Sequence, residues 1–288
     1  MEIIKEIKKL KCGKVVSHAK MCDYTTYKVG GKVIGVVYPI SIEALITLIK
    51  FLKSKNIRYK ILGNGSNVIF KNTYYDMIII KLNYLNDLKI SGKKIIVGSG
   101  YNLIALSLKA AKENLTGLEF ASGIPGTVGG AIYMNAGAYK SDMGYIVKEV
   151  KVLDPNLNVI VLKNNELDFH YRTSFLKQHE NYICLEATLE LNYGKKEAIM
   201  EVIRDRKKRR LESQPLNYPS AGSVFRNPNS NYAGKLIEDL GFKGKSIGGA
   251  MVSVKHANFI INYNRATGEE IIELINTVKE KVKEEYGI

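Results

Sequence analysis

The chain has 288 residues, of which 45% are hydrophobic and 25% are charged. This length allows one large domain or roughly two to three smaller ones, each with its own core. No apolar run reaches the roughly 18 residues that a membrane helix needs. Charges interrupt the apolar residues of MEIIKEIKKLKCGK at the start, which argues against a signal peptide. We therefore expect a cytoplasmic protein without a membrane partner.

The chain is strongly basic, with 43 lysines and arginines against 28 acidic residues and a net charge of +15. Such an excess is compatible with nucleic acid, with small polyanionic ligands or with a lysine-rich surface. The densest basic stretch, RDRKKRR at 204–210, lies in a predicted helix. The sequence has no basic motif interleaved with aromatic residues of the kind that binds RNA. The three cysteines and four histidines lack metal-ligand spacing. We expect neither a nucleic-acid partner nor a bound metal.

The predicted elements begin with a short amphipathic helix at the N-terminus. Strands and helices then alternate between residues 33 and 98. We predict strands over VIGVVYP, RYKILG, MIIIKL and KIIVGSG. Ser41 is the predicted N-cap of a helix over SIEALITLIKFLKSKNI, whose apolar residues fall on one face. A second amphipathic helix covers YNLIALSLKAAKEN.

The second half of the chain begins with strands and ends with helices. VKEVKVLD, VIVL and YICLEATLEL are predicted strands, and the basic helix spans about 195–213. QPLNYPSAGSVFRNPNS, rich in Pro, Ser and Asn, is a predicted loop. The helix AGKLIEDLGF, a strand near ANFIINY and a final helix with a capping box at Thr267 and Glu270 follow. We predict an α+β chain with two N-terminal lobes and a C-terminal lobe from about residue 195.

Two glycine-rich stretches, GNGSN at 63–67 and GIPGTVGG at 123–130, are candidate anion-binding loops. Backbone N–H groups in glycine turns bind anions because no Cβ blocks the approach. Neither stretch is a Rossmann fingerprint or a P-loop, and each alone is compatible with a structural turn. Two such stretches in one basic chain favour an extended diphosphate ligand, such as a dinucleotide.

Four motifs occur in an order and spacing that resemble one known family: LGNGSNVIF, ASGIPGTVGGAIYMNAGAY, YRTSF and AGSVFRNP. Together with TTYKVGG and GGAMVSVKHANFIIN, they resemble the bacterial MurB family, the UDP-N-acetylenolpyruvoylglucosamine reductases. The resemblance extends from about residue 17 to the last residue. It implies a PCMH-type FAD-binding fold of two lobes, residues 1–75 and 76–194 (together about 28–193), plus a C-terminal α+β substrate-binding lobe, residues 195–288. FAD would lie between the first two lobes, and the third would close over the UDP-sugar.

The resemblance also implies which residues contact FAD. They are Tyr27, Val29 and Gly30; Gly63, Asn64, Gly65, Ser66, Asn67 and Val68; and Ser122, Gly123, Ile124, Pro125, Gly126, Thr127, Gly129, Gly130, Ala131, Asn135, Gly137 and Ala138. In these stretches the main chain would lie against the cofactor, where larger side chains would prevent contact.

The implied reaction reduces FAD with NADPH and then reduces the enolpyruvyl UDP-sugar to UDP-N-acetylmuramate, a precursor of peptidoglycan. Arg172 would stabilise the enolate, since a guanidinium is planar, permanently charged and bidentate toward carboxylate. Ser223 would donate the proton, which a weak acid can do only toward a strongly basic carbanion. Arg172, Ser223, Arg226, Asn227 and His256 would bind the substrate.

The sequence departs from the family pattern at its end. The family has a third catalytic residue, a glutamate in a short strand after the last helix, whereas this sequence stops at EEYGI. We favour an intact family function with an incomplete sequence. The alternative is a catalytically impaired homologue that binds FAD and UDP-sugar. The compact final lobe resembles the shorter, second subtype of the family, and we expect a monomer.

Overall fold

The structure is a computed structural model that describes residues 2–229 and 231–288. Its α-helices are α1 (Glu2–Lys9), α2 (Ile42–Ser54), α3 (Leu103–Lys112), α4 (Val128–Tyr133), α5 (Phe175–Gln178), α6 (Lys196–Ser213), α7 (Ala233–Asp239) and α8 (Gly268–Tyr286). Its longer strands are β1 (Gly13–Ser17), β2 (Val33–Pro39), β3 (Tyr59–Ile61), β4 (Tyr75–Ile80), β5 (Leu88–Ser91), β6 (Lys94–Gly98), β10 (Val147–Leu153), β11 (Val159–Lys163), β12 (Ile183–Glu190), β15 (Ala250–Val252) and β16 (Ile260–Asn262). Two-residue strands are β7 (Leu115–Thr116), β8 (Gly137–Ala138), β9 (Ser141–Asp142), β13 (Asn192–Tyr193) and β14 (Ser246–Ile247).

The helix caps predicted from the sequence are confirmed. The Ser41 hydroxyl accepts a hydrogen bond from the N–H of Ala44 at the start of α2, which satisfies a donor that the helix itself leaves unpaired. Thr267 and Glu270 form the reciprocal capping box of α8. α2 ends at Ser54 rather than continuing to Ile57. The helix at the N-terminus is present from Glu2, and Met1 lies outside the described residues.

Several elements differ from the sequence prediction, among them β1, β5, β15, α4 and α5. Strand β5 was not predicted; it pairs with β6 in antiparallel register, from Leu88 opposite Val97 to Ser91 opposite Lys94. Helix α4 begins inside the second glycine stretch, at Val128, where the sequence predicts a loop. The predicted loop over 214–230 is confirmed for residues 214–229, which follow the end of α6 and contain no helix or strand. Ser230 lies outside the described residues.

The chain divides into two compact units that are discontinuous in sequence. Unit 1 comprises Met1–Ser17, Ile34–Asn64 and Asp76–Lys208, and unit 2 comprises His18–Val33, Gly65–Tyr75 and Arg209–Ile288. The third boundary along the chain, between Asn64 and Gly65, falls in the first glycine stretch, and the last falls within α6. The division into three consecutive lobes implied by the resemblance stays a prediction.

Unit 1 contains two sheets and two hydrophobic cores, and the core beside the first sheet also includes Leu153 of β10 and Leu185 of β12. The first sheet has the order β1-β2-β4-β3, with β3 and β4 parallel. The second has the order β11-β10-β12-β6-β5, and its neighbouring strands are antiparallel. Helices α1 and α2 share a core with the first sheet, and α3 and α4 share a core with the second. These cores hold the segments that carry most of the predicted site.

Unit 2 is built around the three-stranded antiparallel sheet β14-β15-β16. Helices α7 and α8 contribute Ile237, Ile271 and Leu274 to its core, to which Tyr27 and Val29 also belong. The predominantly antiparallel sheets with segregated helices confirm the α+β class. Within residues 2–229 and 231–288, no helix has the combination of length and apolar character required to cross a membrane.

Candidate active site

The two glycine stretches meet within unit 1 at Gly63 and Thr127. A Cβ added to Gly63 would lie 2.8 Å from the Thr127 hydroxyl oxygen. A Cβ added to Gly129 would lie 2.9 Å from the Cβ of Ser99, on the segment after β6. We call this contact region, formed by Gly63, Ser99, Thr127 and Gly129, the glycine junction. Larger side chains at its two glycines would push the segments apart.

The second stretch offers fewer N–H groups to a ligand than the sequence predicts. Thr127 caps α4, and its hydroxyl accepts a hydrogen bond from the N–H of Gly130. The N–H groups of Val128 and Gly129 donate to the carbonyl oxygens of Tyr101 and Ser99, at 3.0 and 2.8 Å. The prediction of an N–H-rich loop is therefore wrong for these positions, because tertiary contacts turn the stretch into a capped helix.

The first stretch keeps its N–H groups available. The N–H groups of Asn64, Gly65, Ser66 and Asn67 have no acceptor among the residues that the structure describes. Gly65 has a φ of +66°, and a Cβ on it would lie 2.0 Å from the Tyr24 carbonyl oxygen. Only glycine fits this position, so the conformation of the turn depends on this residue.

Arg172 lies at the tip of a tight turn in unit 1. His170 and Thr173 exchange backbone hydrogen bonds of 3.2 and 3.1 Å across the turn. Arg172 has a φ of +58°, a left-handed conformation that costs a non-glycine residue on the order of 1–3 kcal/mol. Its Nη2 donates to the Gly137 carbonyl at 2.7 Å, and its own carbonyl accepts from Lys177 Nζ at 3.0 Å. Both the backbone and the guanidinium of Arg172 are thus held in place.

Asn135 connects the end of α4 to this turn. Its side-chain amide donates to the His170 carbonyl, and its side-chain oxygen accepts from the N–H of Gly144, both at 2.9 Å. The residue is 2% exposed and has a φ of +40°. The sequence predicts Asn135 as an FAD contact. Its contacts in the structure are those of a brace that positions the Arg172 turn.

Ser223 lies in unit 2 on a loop that Asn258 holds from both sides. The Asn258 side chain accepts from the N–H of Phe225 and donates to its carbonyl, each at 2.9 Å. The backbone carbonyl of Asn258 also accepts from the N–H of Val224. Ser223 itself is exposed, whereas Asn258 is buried. Sequence reasoning missed Asn258, although a polar residue inside the apolar segment HANFIIN was a signal for it.

Asn227 and His256 have partners inside unit 2. The Asn227 side-chain oxygen accepts from the N–H of Ala233, the first residue of α7, at 3.1 Å. The Nδ1 atom of His256 lies 3.3 Å from the N–H of Asn258, which assigns the proton to Nε2. Burial lowers the pKa of His256, so its ring is neutral at pH 7. Contacts of these residues with a ligand, and of Arg226 beside them, stay predictions.

The other predicted FAD contacts are divided between the two units. Tyr27 and Val29 are each 1% exposed in the core of unit 2, and their contacts with a ligand stay predictions. Gly30 and Val68 also belong to unit 2. The remaining residues of the second stretch belong to unit 1, where the Ser122 hydroxyl donates to the Glu119 carbonyl.

Comparisons with known proteins agree with the motifs. Residues 33–163 match the family described as FAD binding domain, and residues 214–288 match the C-terminal domain of UDP-N-acetylenolpyruvoylglucosamine reductase. The UDP-N-acetylenolpyruvoylglucosamine reductase of Caldanaerobacter subterraneus is 45% identical, with 99% of this chain and 93% of the relative covered. That of Bacillus subtilis is 39% identical, with 100% and 95% covered. The chain belongs to the MurB family.

A solved structure of the MurB family has the same fold. The enzyme from Thermus caldophilus superimposes with a TM-score of 0.81 at 32% identity, covering 93% of this chain and 94% of that one. The PCMH-type FAD-binding fold expected from the motifs is therefore confirmed. As a member of the MurB family the chain is an oxidoreductase, and its cofactor is FAD.

The residues at the glycine junction fit a cofactor of this kind. A Cβ added to Gly126 would meet no described atom within 4 Å, so the second stretch presents bare backbone to open space. The Ser99 hydroxyl is buried and has no hydrogen-bond partner among the described residues, a state that normally indicates a ligand or a water. Gly63, Ser99, Gly126 and Thr127 are the residues of unit 1 that would hold FAD.

Replacing Asn135 with alanine should lower the free energy of unfolding and turnover together. Loss of two buried hydrogen bonds costs about 1–3 kcal/mol, and displacement of the Arg172 turn should lower kcat by about 10-fold. Asn135→Gly is the matched variant, since it also lacks the amide but tolerates a positive φ. Urea unfolding should find the glycine variant more stable, while steady-state kinetics find both impaired. Wild-type kcat in both variants would contradict the bracing role.

Proposed function

We propose that the chain reduces UDP-N-acetylenolpyruvoylglucosamine to UDP-N-acetylmuramate with NADPH, as a cytoplasmic monomer in peptidoglycan precursor synthesis. The name shared by its relatives supports this substrate. One observation supports the assignment of a catalytic role to a named residue. Arg172 is held through both its backbone and its guanidinium, as a preorganised electrostatic group must be.

The reaction needs a fixed positive charge where negative charge develops. When bound, FAD would supply the redox chemistry, with NADPH as the hydride source and the vinyl carbon of the substrate as the hydride acceptor. The adjacent carbon then becomes negative, and the charge spreads into the carboxylate. Arg172 would bind that carboxylate, because the guanidinium geometry matches both of its oxygens. The hydrogen bond to the Gly137 carbonyl sets the plane of the guanidinium before the substrate arrives.

The second chemical requirement is a proton for the negative carbon, and Ser223 would supply it. A serine hydroxyl is too weak an acid for most substrates, but a carbanion is basic enough to accept its proton. The hydrogen bonds between Asn258 and Phe225 restrain the loop two residues from Ser223. Asn258 would therefore act as a positioning residue for the proton donor.

The two half-reactions can be tested separately by flavin absorbance. The purified protein should be yellow, and NADPH should bleach it under anaerobic conditions. Addition of UDP-N-acetylenolpyruvoylglucosamine should then restore the oxidised spectrum. A colourless protein that takes up no FAD would contradict the proposal. Bleaching without restoration would instead indicate an FAD-binding homologue without reductase activity.

A further inference from the structure

Lys81 is a buried lysine beside the first glycine stretch. The residue follows β4 and is 7% exposed. Its Nζ donates to the Gly63 carbonyl, and its backbone N–H donates to the Val37 carbonyl at 2.9 Å. Among the described residues no acidic side chain forms an ion pair with it. A buried cation that lacks a counter-charge is costly, so its retention needs a physical reason.

The ammonium group has more hydrogen-bonding capacity than the protein uses. It donates up to three hydrogen bonds, and the Gly63 carbonyl takes one. Burial lowers its pKa to about 8. No neighbouring charge contributes to that shift, although the first sheet carries Lys14, Tyr38, Tyr59, Lys60, Tyr75 and Asp76, and α4 carries Tyr133. The group therefore lies in an apolar environment where one anion would change its energetics strongly.

The position of Lys81 connects it to the glycine junction. Its acceptor, Gly63, is the residue that abuts Thr127. The N–H groups of Val128, Gly129 and Gly130 already donate within the protein. A diphosphate bound here would gain little from those groups, so its partners at the junction are the N–H groups after Gly63 that have no acceptor among the described residues and any cationic side chain close to them. Lys81 provides such a side chain at the junction.

We propose that Lys81 binds a phosphate group of FAD at the glycine junction while it also donates to the Gly63 carbonyl. The proposal rests on the FAD binding assumed in the proposed function and extends it to a residue outside the recognised motifs. Phosphate oxygens accept charge-assisted hydrogen bonds, which are stronger than neutral ones. The cost of burying the ammonium in the apoprotein would thus be offset when the cofactor binds.

Replacing Lys81 with methionine should weaken FAD binding by about 10- to 100-fold, the range for loss of a charged hydrogen bond. Titration of apoprotein with FAD, followed by flavin fluorescence, measures this Kd. Riboflavin has no phosphate, so the variant should bind it with wild-type affinity. Lys60→Met is the matched control, because Lys60 is an exposed lysine on the adjacent strand β3, and its Kd for FAD should not change.

The wild-type protein should also bind FAD less tightly as the pH rises above about 8. Below that pH the ammonium is charged both with and without FAD, and no proton is taken up. Above that pH most of the apoprotein has a neutral Lys81, so FAD binding requires Lys81 to take up a proton. As a result log Kd should rise by up to about one per pH unit. Riboflavin titrated in parallel corrects for ionisation of the flavin ring. Lys81→Met should remove the difference between the two ligands.

The outcomes distinguish this inference from the proposed function. A wild-type protein that binds no FAD would overturn both. A protein that binds FAD with the same pH dependence as riboflavin would overturn the role of Lys81 alone, even if Lys81→Met failed to fold. Unchanged FAD affinity in a folded Lys81→Met variant would have the same meaning. Thermal unfolding of the apoprotein provides a check, since the variant lacks a buried charge and should be at least as stable as wild type.

Discussion

Replacing Ser223 with alanine is expected to lower turnover by about 10²- to 10⁴-fold, the range for loss of a general acid. Reduction of FAD by NADPH should proceed at nearly the wild-type rate, since that half-reaction requires no proton at the substrate carbon. Stopped-flow absorbance separates the two steps under anaerobic conditions. The bleaching phase should be preserved, and the substrate-dependent return of oxidised flavin should become slow.

Ser246→Ala is the control for this experiment. Ser246 is an exposed serine of unit 2 in β14, outside the predicted site, and its loss should leave both phases unchanged. Equal losses in the two phases of Ser223→Ala would show that the residue supports FAD binding or the fold instead of proton transfer. A wild-type second phase would remove Ser223 from the mechanism.

The parts of the fold that depend on local sequence could be predicted. Ser41 before an apolar period and Thr267 three residues before Glu270 mark helix starts by local hydrogen bonding alone. Helix α4 could not be predicted, because its adjacent glycines have poor helix propensity. Its N–H groups are satisfied by the carbonyls of Ser99 and Tyr101, which lie far from it in sequence. Tertiary contacts therefore override propensity at the glycine junction.

The candidate site also has one part that the sequence predicts and another that depends on tertiary contacts. The motifs identify Arg172 and Ser223, but they do not reveal what holds either residue. The brace on the Arg172 turn comes from Asn135, 35 residues away from its partner His170. The brace on the Ser223 loop comes from Asn258, 33 residues away from Phe225. Sequence patterns indicate chemistry through residue type, whereas positioning depends on contacts that only the folded chain brings together.

Replacing Arg172 with lysine should slow the return of oxidised flavin by about 10²-fold, comparable to the loss of one preorganised donor at a developing anion. Lysine keeps the positive charge, but it is a point charge on a flexible stem. It cannot reproduce the planar group that now donates to the Gly137 carbonyl at 2.7 Å and that would bind both carboxylate oxygens. Bleaching by NADPH should be unaffected, because no charge develops on the substrate in that step.

The comparison with Arg204→Lys makes the Arg172 result specific. Arg204 is an exposed arginine on α6, away from the Arg172 turn in sequence, so the same chemical change there should alter neither half-reaction. Arg172→Met would then test charge against geometry. If the lysine variant retains more activity than the methionine variant, the positive charge contributes on its own. If the two variants are equally slow, the planar geometry of the guanidinium is what stabilises the enolate. Wild-type rates in both would show that the strained turn serves a purpose other than stabilising the enolate.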